Sequence, residues 1–231
     1  MVRTFSPKEL AGHIDHTLLK AEATSEQVLR LCDEARSYEF AAVCLNGRWV
    51  SLAAERLQGT SVKVAAVASF PLGADTTQAK VAQAKDLIYA GADEIDMVAD
   101  LAAIIEGDGR YLLHQFGAVL DVCQSMKPAV ALKVIIESAA LTTDQKVFVC
   151  QIADQAGVDF VKTSTGFHPA GGATIEDVAL MKQSAPRCKV KASGGIRTAQ
   201  QALAMLEAGA ERIGTSAGVQ IIHELSESGG S

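Results

Sequence analysis

Lys162 is the residue of this chain with the most chemistry to offer. It closes the segment Gly157-Val158-Asp159-Phe160-Val161-Lys162, which reads as a short buried strand opening into Thr163-Ser164-Thr165-Gly166. A lysine at the mouth of an apolar strand loses hydration, which lowers its pKa and supplies neutral amine near pH 7. Neutral lysine attacks a carbonyl carbon and forms a Schiff base. One such lysine could equally lay its stem on apolar surface and reach water with its head. Two more lysines on apolar backgrounds shift that balance: Lys133 in Leu132-Lys133-Val134 and Lys191 in Val190-Lys191-Ala192. Three from adjacent strands would converge on one cavity. Ammonium groups there disfavour each other's charge, so one can stay neutral and nucleophilic. Asp96 is the carboxylate placed to pair with a protonated lysine and to move protons. The residue pattern does not choose among the three lysines. Its competing reading is a buried ion-pair network that only holds the fold.

An internal echo places Asp96 and Lys162 together. Ala90-Gly91-Ala92-Asp93-Glu94-Ile95-Asp96 recurs as Ala156-Gly157-Val158-Asp159-Phe160-Val161-Lys162 and as Ala208-Gly209-Ala210-Glu211-Arg212-Ile213-Gly214. In each copy a helical pattern ends at glycine, as a left-handed cap would, and a β-prone segment follows an acidic residue. Asp96, Lys162 and Gly214 share a register, so equivalent units would put them at equivalent strand ends.

Two glycine-rich turns suggest an anion. Ser193-Gly194-Gly195-Ile196-Arg197 and Gly214-Thr215-Ser216-Ala217-Gly218 each follow a strand and precede a helix, where backbone N–H groups can face a phosphate. The hydroxyls of Thr215 and Ser216, with Arg197, are further candidate donors. Asp15, in Ile14-Asp15-His16-Thr17, is placed to hold a substrate hydroxyl or a network lysine. Cys44, in Ala42-Val43-Cys44-Leu45, fits a small core residue better than a nucleophile, because no histidine partner is visible. His168 falls in a loop facing water, and Trp49 fits packing. His13, Asp15 and His16 lack a metal-ligand spacing, so no metal site is expected.

These residues need a scaffold that brings strand ends together. Strand-like and helix-like segments alternate along the chain. Strands are expected over 13–17, 40–45, 62–70, 94–98, 130–136, 158–162, 189–192 and 212–214. Helices are expected over 25–38, 48–57, 76–90, 109–126, 143–156, 175–183, 198–208 and 217–225, with a frayed polar tail over 226–231. Eight βα units in 231 residues predict an α/β fold, a single TIM (β/α)8 barrel domain over 1–231. An open doubly wound sheet is the alternative, but no G-x-G-x-x-G opens a first βα turn. In a barrel the strand C-termini carry the chemistry, and phosphate sits by the last two strands.

Composition narrows the partners. The net charge of −6 disfavours nucleic acid as a partner. No apolar run is long enough to span a membrane, and Met1 to Pro7 lacks a signal-peptide apolar region. Five cysteines, an odd number without C-x-x-C, fit reduced thiols and a cytoplasmic location. A homodimer is expected, without an interface stripe to locate it.

The chain resembles the 2-deoxyribose-5-phosphate aldolases, a family of lysine-dependent class I aldolases. The matching stretches run in order across nearly the whole chain: 14–20 (IDHTLLK), 69–73 (SFPLG), 94–98 (EIDMV), 132–137 (LKVIIE), 160–167 (FVKTSTGF), 190–197 (VKASGGIR) and 212–216 (RIGTS). The resemblance implies a TIM barrel that reversibly cleaves 2-deoxyribose 5-phosphate to glyceraldehyde 3-phosphate and acetaldehyde, with phosphosugar and aldehyde as the small-molecule partners. It implies Lys162 as the Schiff-base lysine, Lys191 as the lysine that depresses its pKa, and Asp96 as the proton-transfer partner. It maps phosphate to Gly166, Gly194, Gly195, Gly214 and Ser216, and implies no metal or organic cofactor. Two departures stand out. Many relatives carry two serines where this chain has Ser216-Ala217, and some end in a site-reaching tyrosine, whereas no tyrosine follows Tyr111 here. On the residues alone, another phosphosugar lyase or isomerase and a non-catalytic sugar-phosphate binder stay open.

Overall fold

A computed structural model of the chain describes residues 5–228. Its strands are β1 (Ile14–Leu18), β2 (Ala42–Leu45), β3 (Lys63–Ala68), β4 (Glu94–Val98), β5 (Ala131–Ile135), β6 (Phe160–Lys162), β7 (Lys189–Ser193) and β8 (Arg212–Thr215). All pair in parallel in chain order, and β1 pairs with β8 to close the barrel. The expected TIM barrel is the fold observed. The crossovers are α2 (Ser25–Tyr38), α3 (Val50–Arg56), α4 (Thr77–Tyr89), α6 (Gly109–Gln124), α7 (Thr143–Ala156), α8 (Ile175–Ser184) and α9 (Ala199–Glu207), with α10 (Gly218–Ser228) after the last strand.

Two helices carry no expectation from the sequence. α1 (Pro7–Ala11) starts from a Ser6–Glu9 capping box with Pro7 in its first turn. α5 (Leu101–Glu106) is capped by Asp100 and stopped by left-handed Gly107. The expected helix over 48–57 opens instead as a 3-10 turn at Gly47–Trp49. The strand expected over 62–70 stops at Ala68, because Ser69 turns out with φ 53°. Residues 226–228 of the expected frayed tail continue α10, and 229–231 lie outside the described residues.

Side-chain alternation divides the strands between two cores. One face packs under the helices: Val43, Val64, Ile95, Met97, Leu132, Val134, Val161, Val190 and Ile213 belong to the main apolar cluster. The other faces the barrel axis, and there the two halves differ. β2 and β3 contribute Ala42, Cys44, Ala65 and Val67, a small apolar cluster with Leu19. β4 to β8 and β1 contribute charged side chains. Lys80 of α4 is buried in the outer layer, where its ammonium donates to the Val98 carbonyl and to Gln115 and so ties α4 and α6 to the end of β4.

The internal repeat has a structural explanation. Gly91, Gly157 and Gly209 all have positive φ, as the left-handed cap requires. The acid that follows each caps the start of the preceding strand: Asp93 accepts from Val64 N–H (2.9 Å), Asp159 from Leu132 N–H (2.8 Å) and Glu211 from Val190 N–H (2.8 Å). Asp96, Lys162 and Gly214 are each the third residue of their strand and face the interior.

Candidate active site

Asp96 sits at the centre of the charged half. Its Oδ1 accepts from Lys133 Nζ at 2.7 Å, and its Oδ2 accepts from Lys162 Nζ at 2.7 Å and Lys191 Nζ at 2.8 Å. The lysines come from β5, β6 and β7, whose register sets Asp96 beside Lys133 and Lys162 beside Lys191. Lys133 also meets Glu94 at 2.5 Å. Glu94 binds Arg212 at 2.7 Å, Arg212 binds Asp15, and Asp15 binds Lys191. These contacts form a closed ring of alternating sign: Asp96, Lys133, Glu94, Arg212, Asp15, Lys191. The ring is neutral, with three cations and three carboxylates. Lys162 hangs from Asp96 outside it, as a fourth cation.

Burial and charge compete at Asp96, Asp15, Lys191 and Lys133. Burial raises Asp96, but Lys133, Lys162 and Lys191 outweigh it and hold the carboxyl well below the usual range. Asp15 is lowered in the same way, with Lys191 and Arg212 overcoming burial. Burial lowers Lys191, yet Asp15 and Asp96 raise it above the ordinary lysine range. Lys133 is raised likewise by Asp96 and Glu94. Carboxyls lowered on folding contribute stability above their unfolded value near ~4, lost as pH falls through the folded value. Lysines raised on folding contribute below about 10.4, and that contribution is lost as pH rises through the folded value. Urea unfolding is therefore expected to show the ring's contribution undiminished from about pH 5 to about pH 9, with a fall on the acid side. A decline between pH 7 and 9 would contradict the ring as the source of stability.

Above the ring opens a cavity of about 320 Å³. Lys162 reaches it; Lys133 and Lys191 do not line it. Its far wall is the pair of glycine turns, Gly194–Gly195 and Gly214–Ser216, together with Gly166. Gly166, Gly194 and Gly195 have φ of 83°, 90° and 84°. A side chain at Gly214 would place its Cβ 3.1 Å from Lys191 Cε and 2.9 Å from Ser193 Cβ, so glycine there lets the Lys191 stem pass.

The first turn of α9 is occupied by its own capping box: Thr198 accepts from Gln201 N–H, and Gln201 accepts from Thr198 N–H and Arg197 N–H. The glycine turn, more than the helix end, is the free surface. Thr215 lines the cavity, but its hydroxyl donates to the Ile196 carbonyl at 2.7 Å and accepts from Ala217 N–H, which ties the two turns together. Ser216 is exposed on the cavity wall.

Other candidates fall outside the cavity. Cys44 is buried with its Sγ 3.9 Å from Asp96, and burial pushes its thiol up. His13, Asp15 and His16 do not converge. His13 Nδ1 meets the Glu211 carbonyl, His16 Nε2 meets Glu34, and Asp15 faces the ring. His168 is half-buried in its loop, with Nδ1 accepting from Ala170 N–H, and Trp49 packs on the core.

Sequence reasoning missed Glu94 and Arg212, which close the ring, and Thr17, Lys20 and Thr165, which line the cavity. Two-residue alternation could have found the first pair. Glu94 lies two before Asp96 and Arg212 two before Gly214, on the same strand face.

The family profile of the DeoC/LacD aldolases matches residues 10–224. The chain belongs to this aldolase family. The deoxyribose-phosphate aldolase of Geobacillus sp. (strain WCH70) is 52% identical over 214 residues, spanning 92% of this chain and 94% of that relative. Among solved aldolase structures, a putative deoxyribose-phosphate aldolase from Coccidioides immitis superposes with a TM-score of 0.92. It is 40% identical and covers 96% of this chain and 87% of that one. The deoxyribose phosphate aldolase from Aeropyrum pernix, described as tetrameric, gives a TM-score of 0.89 at 31% identity, covering 96% and 92%. No helix among the described residues is long and apolar enough to cross a membrane.

Proposed function

We infer that this chain is a class I aldolase that reversibly cleaves 2-deoxy-D-ribose 5-phosphate to D-glyceraldehyde 3-phosphate and acetaldehyde. Lys162 is the nucleophile, with Lys191 and Asp96 as its catalytic partners. One observation carries the residue assignment: Lys162 is the cation outside a neutral ring and the ring-contacting lysine that reaches the cavity. The ring stays balanced when Lys162 reacts as a neutral amine. Lys133 and Lys191 are each held by two carboxylates.

In the cleavage direction, Lys162 Nζ adds to the open-chain aldehyde carbon, and loss of water leaves an iminium. The C3 hydroxyl proton passes to a water held by the Asp96–Lys191 pair. The C2–C3 bonding electrons move into the iminium and form an enamine, while C3 becomes the aldehyde of glyceraldehyde 3-phosphate. The enamine takes a proton on carbon, and hydrolysis releases acetaldehyde and the free lysine. Lys133 holds Asp96, and Asp15 holds Lys191. Cys44 fills space beside Asp96 as a neutral thiol. The substrate phosphate lies against Gly166, Gly194, Gly195, Gly214 and Ser216.

The iminium is the electron sink, so the reaction runs without a metal. Cleavage of 2-deoxyribose 5-phosphate, read as acetaldehyde release, is expected to keep its rate after EDTA treatment. Loss of rate on chelation with recovery on metal addition, or no cleavage by folded protein, would overturn the reading. We extend it to a single aldolase domain over 1–231 and to a cytoplasmic location, which the five free, buried cysteines support. We also propose assembly as a homodimer; the tetramer of the Aeropyrum relative supports self-association.

A further inference from the structure

We propose that Glu137 is a positioning residue that sets the phosphate end of the cavity by clamping the turn after the Schiff-base lysine. The inference rests on the aldolase reading above. β5 delivers Lys133 to the ring, and two residues past its end Glu137 leaves the strand geometry with φ 54° and ψ 58°. A non-glycine residue in this left-handed region carries backbone strain, which persists only where its surroundings enforce it.

The surroundings here are the β6 loop. Beyond the strand ends the two chains stay zipped: Ile136 N–H donates to the Lys162 carbonyl at 3.0 Å, and Ser138 N–H to the Thr163 carbonyl at 2.7 Å. Between them, the Glu137 carboxylate points across to Thr165. It accepts from Thr165 N–H at 3.2 and 3.3 Å and from the Thr165 hydroxyl at 2.5 Å. Thr165 Oγ1 in turn accepts from Phe167 N–H at 3.1 Å. Gly166 is thus held from both sides. A Cβ on Gly194 would lie 3.6 Å from Gly166 Cα, so the clamped turn lies against the Gly194–Gly195 turn. Thr165, Gly166, Gly194 and Gly195 line one cavity wall.

Glu137 is buried, at 1% exposure, and its carboxylate accepts from the N–H and O–H groups of Thr165. Burying a carboxylate without a cation is costly. A neutral side chain would close an ordinary turn at less cost. The carboxylate gives a stiffer clamp, because its oxygens accept from the Thr165 N–H and hydroxyl together. Glu137 does not touch the ring or Lys162 Nζ, so its effect falls on where the phosphate is held, apart from imine formation.

The test compares kcat and KM for 2-deoxyribose 5-phosphate and for unphosphorylated 2-deoxyribose in wild type, Glu137→Ala, Glu137→Gln and Thr165→Val, with thermal unfolding of each. Glu137→Ala removes the bonds from the Thr165 N–H and hydroxyl, each worth a factor of several in the equilibrium that orders the turn, so about tenfold together. In Glu137→Ala, KM for the phosphorylated sugar is expected to rise by about that factor, with kcat far less affected. The preference for phosphorylated over unphosphorylated sugar collapses in parallel. Glu137→Gln keeps an acceptor for Thr165 and recovers part of the preference; Thr165→Val, which loses the hydroxyl, reproduces the defect. An unchanged preference in folded variants, or equal losses for both sugars, overturns the proposal. If Glu137→Ala does not fold, Glu137→Gln and Thr165→Val decide it by the same ratio. Acetaldehyde trapping on Lys162 in wild type separates the two layers. Its absence would sink the aldolase reading, whereas an adduct in all proteins with an unchanged preference would sink only the role of Glu137.

Discussion

Lys162→Met is expected to lose cleavage activity by roughly five orders of magnitude, the scale on which loss of a covalent nucleophile acts, and to remain folded. The two outcomes come from one piece of geometry. Of the lysines that contact Asp96, Lys162 is the one that reaches the cavity, so neither Lys133 nor Lys191 can take its place. It is also the cation the ring does not need. Asp96 keeps Lys133 at 2.7 Å and Lys191 at 2.8 Å when Lys162 is gone. Methionine has similar length and suits the apolar side of the barrel near Val67 and Cys44. Thermal unfolding of the variant should match or exceed wild type. Substantial residual cleavage would remove Lys162 from the mechanism. A large drop in stability would show that the fourth cation holds the fold, contrary to the charge count.

Asp96→Asn should fail in both respects. The carboxylate is fully buried and takes three ammonium groups. The amide presents one acceptor oxygen and no charge, so the ring is broken and the interior carries uncompensated cations. Removing one partner from a buried ion pair costs about 3–5 kcal/mol. For a domain of this size each kcal/mol lowers Tm by roughly 2–4 °C, so a fall of about 10 °C is expected. Cleavage should drop by about a thousandfold even where the variant is folded, the scale of a lost general acid–base group. Measured together with Lys162→Met, the contrast is diagnostic: one variant separates activity from stability, the other loses both. Unaltered stability in Asp96→Asn would mean that the ring is not held through this carboxylate.

Much of the barrel was legible because its signals are local. Strand–helix alternation, glycine caps and capping boxes such as Thr24–Gln27 are set within a few residues. The three lysines were legible for the same reason: a cation flanked by aliphatic residues on a short strand has to face the barrel interior. What connects them was not legible. Arg212 joins Glu94 and Asp15 across 118 and 197 residues, and only closure of β8 against β1 creates that proximity. The repeated acids Asp93, Asp159 and Glu211 were legible as part of the echo, but their strand-capping task depends on a neighbouring strand and was not. Hydroxyl roles at the glycine turns were also beyond reach, because Thr215 is committed to Ile196 by a contact between two loops. The short helices α1 and α5 carried readable caps at Ser6 and Asp100 but too few turns to show a periodicity.

The central claim is that Lys162 forms a Schiff base with an aldehyde, and borohydride reduction in the presence of acetaldehyde tests it most directly. The account predicts one reduced two-carbon adduct, located by peptide mass mapping on Lys162 and absent from Lys162→Met. An adduct on Lys133 or Lys191, or none on folded protein, would contradict it.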